Sequence, residues 1–477
     1  MNERSAVHGE APAYAFYGDD FTGATDTLAH LARAGLRTML FFVPPSDERL
    51  ATLGRLDALG VAGAARTLAP RPQQQELARV GAAFAALGVR VIHYKVCSTF
   101  DSAPHTGSIG VAIRTLRDYC ASELVAIVGG QPNLRRYCAF GQLFAAAGGD
   151  DGQPRIYRID RHPTMSRHPV TPMNEADLRV HLQRQGVERI ELIDWRDYAL
   201  DDAGLLDEVR RKLAAKPTAL LFDVLDDTHL QALGKVIAHY AERSAPLLAV
   251  GASSVAQAYA FACAAGRTEG VRENEASVPL ARARGPVFVL AGSLSPLTEV
   301  QIEAAHSYLR IELDPRQMIG AHARAYIVGR VEAIAGPLRA GRNVLAFTAR
   351  RVANATSTDC VPNENEKGTT HADGEAAPQS TLAQACAQLL QQVLNAVRLQ
   401  RIGIAGGDTS SLAVRALDAW GLSYLAPLSS GVTMCRLHSD RVELDGMEIM
   451  LKGGQMGDAD LFEKLINGEM LRSRVDA

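Results

Sequence analysis

The sequence predicts an α/β protein of two domains, each built on a largely parallel sheet flanked by helices. Short apolar segments alternate with amphipathic segments along nearly the whole chain, which indicates βαβ units and parallel strands. The chain has 477 residues and exceeds the size at which one hydrophobic core usually suffices. The charged segment 266–286 interrupts the alternation before it resumes. We therefore predict a domain over residues 1–265, a linker over 266–286 and a second domain over 287–477.

The first domain begins with a predicted strand, Ala13 to Tyr17, and the helical pattern TLAHLARAG follows, with Gly35 as a typical helix stop. Further strands are predicted at the apolar segments TMLFFV, VRVIHYKV, LVAIVGG, IELID, ALLFDVL and PLLAVGA. Amphipathic segments such as DAGLLDEVRRKLAA and THLQALGKVIAHYAERS lie between them and indicate helices. The segment RHPVTPMNEADLRVHL predicts another helix, with Asn174 as its cap.

The second domain repeats this alternation, with strands predicted at VFVLAGS, RIEL, NVLAFTA, RIGIAGG and MEIMLKGG. Residues 354–380 interrupt it, because they are polar and rich in threonine, asparagine, glutamate and glycine. Their apolar content is too low to offset the entropy of ordering, so we expect a flexible surface insertion there.

Composition excludes several classes of protein. The formal net charge of −3 lacks the basic excess of a nucleic-acid-binding surface. Seven cysteines are scattered without a C-x-x-C pair, which is typical of free thiols in a reducing compartment. No segment has the apolar length of a signal peptide core or a membrane span. We therefore expect a soluble cytoplasmic protein without nucleic-acid or membrane partners, and a homo-oligomer stays an open alternative.

Two adjacent carboxylates, Asp19 and Asp20, follow the first predicted strand, where glycines allow a tight turn. Ligands of open parallel sheets bind beyond the carboxyl ends of the strands. One alternative is that Asp20 or Thr22 only caps the next helix. Because one cap does not need two carboxylates, we expect at least one of them to face a hydroxyl substrate or a metal ion.

A second polar cluster, His93 to Gly110, follows the predicted strand VRVI and precedes a helical pattern. Lys95, Ser98 and Thr99 offer hydrogen-bond donors there, together with backbone N–H groups. Such a loop suits a carboxylate or a polyol ligand. The alternative is an ordinary turn rich in serine and threonine.

Three turns rich in glycine and hydroxyl residues follow strands of the second domain, with the sequences GSLS, GGDTSS and KGGQMG. We expect each to offer free N–H groups at a helix N-terminus, which is how a protein backbone often holds phosphate. The P-loop pattern, the dinucleotide-binding pattern and the protein-kinase signatures are missing from the sequence. The turns therefore predict a nucleotide site of another kind.

Five motifs, GDDFTGATD, HPVTPM, GSLSPLTEVQI, GGDTSSLAVRAL and LKGGQMGDADLF, resemble in order those of the four-carbon acid sugar kinases, which include 3-oxo-tetronate, threonate and erythronate kinases. The resemblance implies an N-terminal domain that binds the acid sugar, a C-terminal domain that binds the nucleotide, and an active site in the cleft between them. ATP and Mg²⁺ are the implied co-reactants. Substrate contacts are implied for Asp19, Asp20 and Arg66, and ATP contacts for Ser293, Ser295, Gly406, Gly407, Asp408, Thr409, Gly453 and Gly454.

One stretch departs from the family pattern K-x-D-S-T-x-R-G, because this chain reads KVCSTFDS. Lys95, Ser98 and Thr99 match the pattern, whereas Cys97 replaces an aspartate and Asp101 replaces an arginine. Exchanging an acid for a thiol and a base for an acid changes which substrate charges bind well. We still expect this loop to bind the substrate. A related branched acid such as 3-oxo-isoapionate is an alternative substrate.

The function predicted from the sequence is ATP-dependent phosphorylation of a hydroxyl of a short, four-carbon or branched, sugar acid. Asp20 is predicted to accept the hydroxyl proton as the catalytic residue, while Asp19 orients the loop or assists Mg²⁺. The metal ligands stay unknown at this point. A non-catalytic sugar-acid sensor and a sugar-phosphate phosphatase are the alternative functions.

Overall fold

The structure is a computed structural model that describes residues 11–148, 154–168, 170–265, 279–293, 295–348 and 378–468. Residues 266–278 of the predicted linker and 354–377 of the predicted insertion lie outside the described residues. Residues 378–380 begin a helix. No helix in the described part of the chain combines the length and apolar character that crossing a membrane requires.

Strands and helices alternate through the first half of the chain, as the periodicity predicts. In chain order they are β1 (Tyr14–Gly18), α1 (Phe21–Arg33), β2 (Thr38–Phe41), α2 (Asp47–Leu53), β3 (Ala58–Ala62), α3 (Pro70–Ala86), β4 (Val91–Lys95), α4 (Ile109–Arg117), β5 (Val125–Val128), β6 (Arg136–Ala139), β7 (Gln142–Gly148), β8 (Pro154–Arg158), α5 (Leu178–Gln183), β9 (Ile190–Ile193), α6 (Asp202–Leu213), β10 (Ala219–Phe222), α7 (Asp227–Arg243), β11 (Leu247–Gly251) and α8 (Ser254–Ala265).

The alternation continues in the second half. Its elements are β12 (Val287–Ala291), α9 (Pro296–Ala304), β13 (Leu309–Glu312), α10 (Pro315–Ile319), α11 (Ala323–Arg339), β14 (Val344–Phe347), α12 (Pro378–Ala396), β15 (Arg401–Ala405), α13 (Gly407–Ala416), β16 (Gly421–Ser429), β17 (Val432–His438), β18 (Glu448–Lys452) and α14 (Leu461–Asn467).

The chain divides into two compact units. The N-terminal unit comprises Met1–Val278 and Trp420–Ser439, and the C-terminal unit comprises Pro279–Ala419 and Asp440–Ala477. Each contains a largely parallel sheet with helices between its strands, which confirms the predicted fold class. The segment Trp420–Ser439 belongs to the N-terminal unit, although it lies within the range 287–477 predicted as the second domain.

The sheet of the N-terminal unit has the strand order β17-β16-β2-β3-β1-β4-β11-β5-β10-β9. The pairs from β2 to β9 are parallel. All residues of β1, β3, β4 and β11 are buried. Parallel strands covered on both faces have nearly continuous apolar sequences, which is why the apolar segments located most of them. Strands β6, β7 and β8 form a separate antiparallel sheet.

The antiparallel hairpin of β16 and β17 extends this sheet beyond β2. Gly421 lies opposite Phe41 in the register of β16 with β2. The ring of Trp420 stacks on Phe41 with 6.1 Å between centroids, and the Arg49 guanidinium lies 4.5 Å from the Trp420 ring centroid. The hairpin therefore covers an edge of the parallel sheet that β2 would otherwise expose.

The sheet of the C-terminal unit has the order β13-β14-β12-β15-β18, and these pairs are parallel. Ala291 at the end of β12 lies opposite Ala405 at the end of β15, which in turn lies opposite Lys452 at the end of β18. The carboxyl ends of these three strands, and the turns that follow them, therefore lie side by side at one edge of the sheet.

Two helix ends can be compared with the residues predicted to stop or cap them. Helix α1 ends at Arg33, and Gly35 follows with a φ of +81°, which agrees with the predicted helix stop. The helix after HPVTPM begins at Leu178, and Asp177 is its cap through a 2.9 Å bond from the Arg179 N–H. The prediction of Asn174 as that cap is wrong, because the chain enters the helix three residues later.

Candidate active site

Four predicted site residues meet at the carboxyl ends of three neighbouring strands in the N-terminal unit. Gly18 at the end of β1 lies opposite Ala62 of β3 on one side and Lys95 of β4 on the other. The residues after Gly18, the short helical turn Ala65–Thr67 after β3, and Lys95 are therefore brought together. Asp19, Asp20, Arg66 and Lys95 form one cluster of ion pairs.

Asp19 is the buried anchor of this cluster. Its side chain is 6% exposed. Arg66 donates two hydrogen bonds to it, from Nη2 to Oδ1 at 2.7 Å and from Nε to Oδ2 at 3.1 Å. The backbone N–H of Arg66 also donates to the Asp19 carbonyl, at 3.2 Å. A bidentate guanidinium–carboxylate pair fixes both groups, so Asp19 determines the orientation of Arg66.

Asp20 has the capping role that the sequence offered as one alternative, and its carboxylate also contacts two cations of the protein. It is the N-cap of α1: Oδ1 accepts from the Gly23 N–H at 2.9 Å, and Oδ2 accepts from the Thr22 hydroxyl at 2.8 Å. It also faces two cations, with Arg66 Nη1 3.0 Å from Oδ2 and Lys95 Nζ 3.7 Å from Oδ1. Its side chain keeps 14% exposure.

Electrostatics keep Asp20 ionised. Burial raises the pKa of its carboxyl group, but the positive charges of Arg66 and Lys95 and the hydrogen bonds from Thr22 and Gly23 outweigh burial and lower this pKa to about 2. Asp20 is therefore a carboxylate at neutral pH and, in the free protein, a weak base.

Gly23 is required by the close approach of Lys95 to α1. A Cβ atom built on Gly23 would lie 1.6 Å from Lys95 Nζ and 2.6 Å from Asp20 Oδ1. Any side chain there would displace the ammonium group from the carboxylate. The second glycine of the GDDFTG motif thus has a local steric reason, which the sequence pattern alone does not show.

The predicted loop after β4 packs next to this cluster. The Cys97 thiol lies 2.9 Å from the Thr99 hydroxyl, which donates to the Asp101 carboxylate at 2.5 Å. Burial raises the pKa of Cys97 to about 11, with Asp101 adding to the rise and Arg66 and Lys95 opposing it. Cys97 is therefore a neutral thiol at pH 7. Ser98 is half-buried in the turn between these residues.

Arg136, at the start of β6, is a cation that the sequence analysis missed. Its Nη1 donates to the Leu134 carbonyl at 2.7 Å, while its buried Nε has no hydrogen-bond partner among the described residues. Burial lowers the pKa of Arg136, and the Cys97 thiol is the foremost titratable group acting on it. Arg136 forms no ion pair with a carboxylate in the described ranges, in contrast to Arg66 and Lys95.

In the C-terminal unit, the three glycine-containing turns come together as the strand order requires. The Gly292 N–H donates to the Ala405 carbonyl and the Gly406 N–H to the Lys452 carbonyl, both at 2.9 Å. A Cβ on Gly406, whose φ is +122°, would lie 3.2 Å from the Ser293 nitrogen. These contacts join the turns after β12, β15 and β18 into one surface.

Close approach explains further glycines of this surface, and one glycine faces open space. A Cβ on Gly454 would lie 2.6 Å from Ser293 Oγ and 2.9 Å from the Ser295 Cβ. A Cβ on Gly292 would lie 2.2 Å from the Thr409 hydroxyl. A Cβ on Gly407 would meet no atom within 4 Å. The backbone is therefore open to a ligand at Gly407.

Two hydroxyl groups at this edge are buried without a hydrogen-bond partner in the described part of the chain. They are Ser295 Oγ at the start of α9 and Thr348 Oγ1 just after β14. Native proteins pair nearly all buried polar atoms, so each of these hydroxyls is open to a partner outside the described residues, such as a ligand or water. Thr348 was missed, because its segment NVLAFTA contains no glycine turn.

Two details differ from the expected geometry of these turns. Helix α13 begins at Gly407, so Asp408 and Thr409 lie in its first turn rather than in the preceding loop. The structure does not describe the side chain of Asp408. Helix α14 begins only at Leu461, so Gly453 and Gly454 are not at a helix N-terminus, contrary to the expectation for this turn. The turn instead binds through its backbone to α9, where Thr298 donates to the Gly454 carbonyl at 3.2 Å.

Two protein families match separate halves of the chain. Residues 14–259 match the sugar-binding N-terminal domain family, and residues 288–462 match the nucleotide-binding C-terminal domain family. The first range contains the Asp19–Asp20–Arg66–Lys95 cluster, and the second contains the three glycine turns.

Relatives with curated names align along the whole chain. A 3-oxo-isoapionate kinase of Paraburkholderia graminis is 38% identical over 459 residues, which cover 96% of this chain and 94% of that protein. A 3-oxo-tetronate kinase of Burkholderia multivorans is 28% identical, over 95% of this chain and 97% of its own.

Solved structures share the fold. A protein from Salmonella typhimurium LT2 matches with a TM-score of 0.71 at 21% identity, covering 95% of this chain and 98% of its own. A Haemophilus influenzae protein of the DUF1537 family matches with a TM-score of 0.65 at 22% identity, covering 94% and 98%. With both domain families matched in order and a relative 38% identical along its length, the chain belongs to the four-carbon acid sugar kinase family.

Proposed function

We propose that this protein transfers a phosphoryl group from ATP to a hydroxyl of a short 3-oxo sugar acid. The observation that carries the proposal is the carboxylate Asp20, held between Arg66 and Lys95 at the carboxyl ends of three parallel strands. Phosphoryl transfer needs positioning of the hydroxyl, charge stabilisation and an acceptor for its proton. The family membership supports the same reaction, as does the surface formed by the three glycine turns of the C-terminal unit, which is suited to binding phosphate.

In this proposal, the sugar acid binds at the Asp20 cluster and the following loop, which includes Cys97, Ser98 and Thr99. Arg136 is the proposed partner of the substrate carboxylate, because it is a partly buried cation near Cys97, with a buried Nε, that no described carboxylate neutralises. Guanidinium groups bind carboxylates in bidentate geometry, and Nε is one of the donors of that fork.

Asp20 is the proposed acceptor of the hydroxyl proton. A carboxylate with a pKa of about 2 is a weak base, but a loose transition state releases the hydroxyl proton late, so position matters more than basicity. The proposed role of Asp19 is orientation of Arg66, since Arg66 already occupies both of its oxygens.

ATP is proposed to bind along Ser293, Ser295, Gly406, Gly407, Thr409, Gly453 and Gly454, with Asp408 at the same helix start. The described residues contain no group of three or more His, Cys, Asp or Glu side chains suited to a metal ion. Mg²⁺ in kinases is bound mainly by substrate phosphates and one or two carboxylates, and Asp408, in the first turn of α13, would be a carboxylate for that mode. When bound, Mg²⁺ neutralises charge on the phosphates.

The test measures ADP formation from MgATP in the presence of each of four acids: 3-oxo-isoapionate, 3-oxo-tetronate, threonate and erythronate. Because the 38% identical relative acts on 3-oxo-isoapionate, we expect that acid to give the highest kcat/KM, with one phosphorylated product per ADP. Binding without ADP formation for every acid would favour a sensor. Phosphate release from a sugar phosphate without ATP would favour a phosphatase. Either result would overturn the proposal.

Arg136→Met tests the carboxylate contact. Losing a charged hydrogen bond of about 1.5–3 kcal/mol should raise the KM for the sugar acid roughly 10- to 100-fold and leave the KM for ATP unchanged. Arg135→Met, at the exposed neighbouring residue, is the matched control. An unchanged KM for the acid in the Arg136 variant would remove the proposed contact.

A further inference from the structure

A buried lysine lies directly behind the glycine turns of the C-terminal unit. Lys452 is the last residue of β18 and is fully buried. Its ammonium group donates to Thr298 Oγ1 at 3.0 Å, to Gln301 Oε1 at 2.5 Å and to the Gly454 carbonyl at 3.3 Å. An ammonium group has three N–H donors, and each has an acceptor here. All three acceptors are neutral.

The charged groups on β18, on the turn after it and on α9 are paired with other residues or are partly exposed. Glu448, at the opposite end of β18, pairs with Arg401 of β15 at 2.6 Å. Asp458, in the turn after β18, pairs with Lys464 of α14 at 2.6 Å. Glu299 of α9 is partly exposed.

Helix α13 also packs on β18, and its charged residues are Asp408, whose side chain is not described, and Arg415 at the far end of the helix. Within the described residues, the buried ammonium of Lys452 has no carboxylate partner. Burial lowers the pKa of Lys452 to about 7.

The position of Lys452 links its charge to the proposed phosphate surface. It holds the Gly454 carbonyl, and a Cβ on Gly454 would touch Ser293 and Ser295. It also holds Thr298, in the first turn of α9. The ammonium is thus one hydrogen bond away from two of the three turns. A burial cost that no anion among the described residues offsets can be offset by an anionic ligand.

We infer that Lys452 is a positioning residue whose buried charge is balanced by the nucleotide phosphates, so that nucleotide binding is coupled to protonation of this lysine. The inference depends on the proposed function, because it requires the phosphates to bind at the three turns. The proton comes from solvent and adds to the amine; no covalent bond changes in the nucleotide.

The direction of the coupling follows from linkage. Below pH 7 the lysine of the free protein is already protonated, and ADP binds without taking up a proton at this group. Above pH 7 the free protein must gain a proton to bind, so ADP affinity should fall up to tenfold per pH unit until the pKa of the complex is reached. At pH 8, roughly 0.9 proton should be taken up per ADP bound.

The experiment is titration calorimetry of the full chain with ADP and Mg²⁺ at pH 8, in two buffers of different ionisation enthalpy. At this pH the ADP phosphates are ionised, since their highest pKa is about 6. The wild type should take up close to one proton. Lys452→Arg stays charged at every pH used and should bind ADP without proton uptake. Lys235→Met, which removes an exposed lysine of α7 in the N-terminal unit, should behave like the wild type.

Three outcomes decide the inference. Proton uptake by the wild type and its loss in the Lys452 variant would support it. Tight ADP binding by the wild type without uptake at pH 8 would overturn it while leaving the proposed function intact, and this measurement needs no variant to fold. A wild-type protein that does not bind ADP at all would overturn the proposed function and this inference together.

Discussion

Asp20→Asn separates the helix cap, which the structure shows, from the proton-accepting role that we propose for the same side chain. Asparagine caps helices about as well as aspartate, so the bond from the Gly23 N–H should persist. What disappears is the negative charge between Arg66 and Lys95. A pKa lowered from 3.8 to about 2 corresponds to roughly 2.5 kcal/mol of stabilisation at neutral pH, and the side chain is only 14% exposed. We expect the variant to lose about 2 kcal/mol of stability at pH 7.

The pH dependence of this loss has a definite sign. Because the folded-state pKa of Asp20 is below its unfolded value, the stabilisation is complete above about pH 4 and disappears as the pH falls through 2. Urea unfolding of wild type and variant should therefore differ at pH 7 and converge toward pH 2. The kcat of the variant should fall roughly 10²- to 10⁴-fold, the range for a positioned base.

Asp201→Asn is the matched control for capping. Asp201 caps α6 through a 2.8 Å bond from the Gly204 N–H, with the same three-residue spacing as Asp20 and Gly23. Its substitution should change neither the urea midpoint nor kcat. If Asp20→Asn keeps kcat within about threefold of wild type, Asp20 does not accept the proton, and its charge serves only the fold.

Three further results are expected. Gly23→Ala should lower sugar-acid kcat/KM by at least tenfold, because its methyl group would displace the ammonium of Lys95; binding of ADP, measured by calorimetry, should not change. Gly407→Val should weaken ADP binding at least tenfold with an unchanged melting temperature, since a side chain there meets open space in the free protein; unchanged affinity would contradict the phosphate surface. Replacing Cys97 by aspartate and Asp101 by arginine together should reorder kcat/KM among sugar acids at constant KM for ATP, and a fixed ranking would show that this loop does not select the substrate.

Most of the parallel strands, and their alternation with helices, could be predicted from the sequence, because burial on both faces of a sheet produces continuous apolar segments. Strand β3, with the sequence ALGVA, was missed because its two alanines and glycine carry little apolar signal. The glycine is required there, since a Cβ on Gly60 would lie 2.2 Å from the Phe16 ring. Antiparallel strands β6, β7 and β16 were missed because many of their residues are only partly buried. Strand β17 was missed too, although most of its residues are buried.

In the candidate site, too, some residues could be predicted from the sequence and others could not. Asp19 and Asp20 follow an apolar strand directly and Lys95 ends another, so their place at one edge of the sheet could be predicted from the order of elements. The positions of Arg136 and Lys452 could not be predicted. What distinguishes them is that no carboxylate of the described residues pairs with them, and a pairing between distant segments leaves no local pattern in the sequence.

The hairpin of β16 and β17 has a consequence for synthesis of the chain. Strand β2 leaves the ribosome with the first residues, whereas its antiparallel neighbour β16 begins at Gly421. At about 5–20 residues per second, β2 waits on the order of tens of seconds for the strand that covers it. Throughout this interval the nascent sheet carries an open edge able to pair with other chains. A fragment ending at residue 278 would keep that edge open permanently, so we expect the N-terminal unit produced alone to aggregate less when residues 420–439 are joined to it.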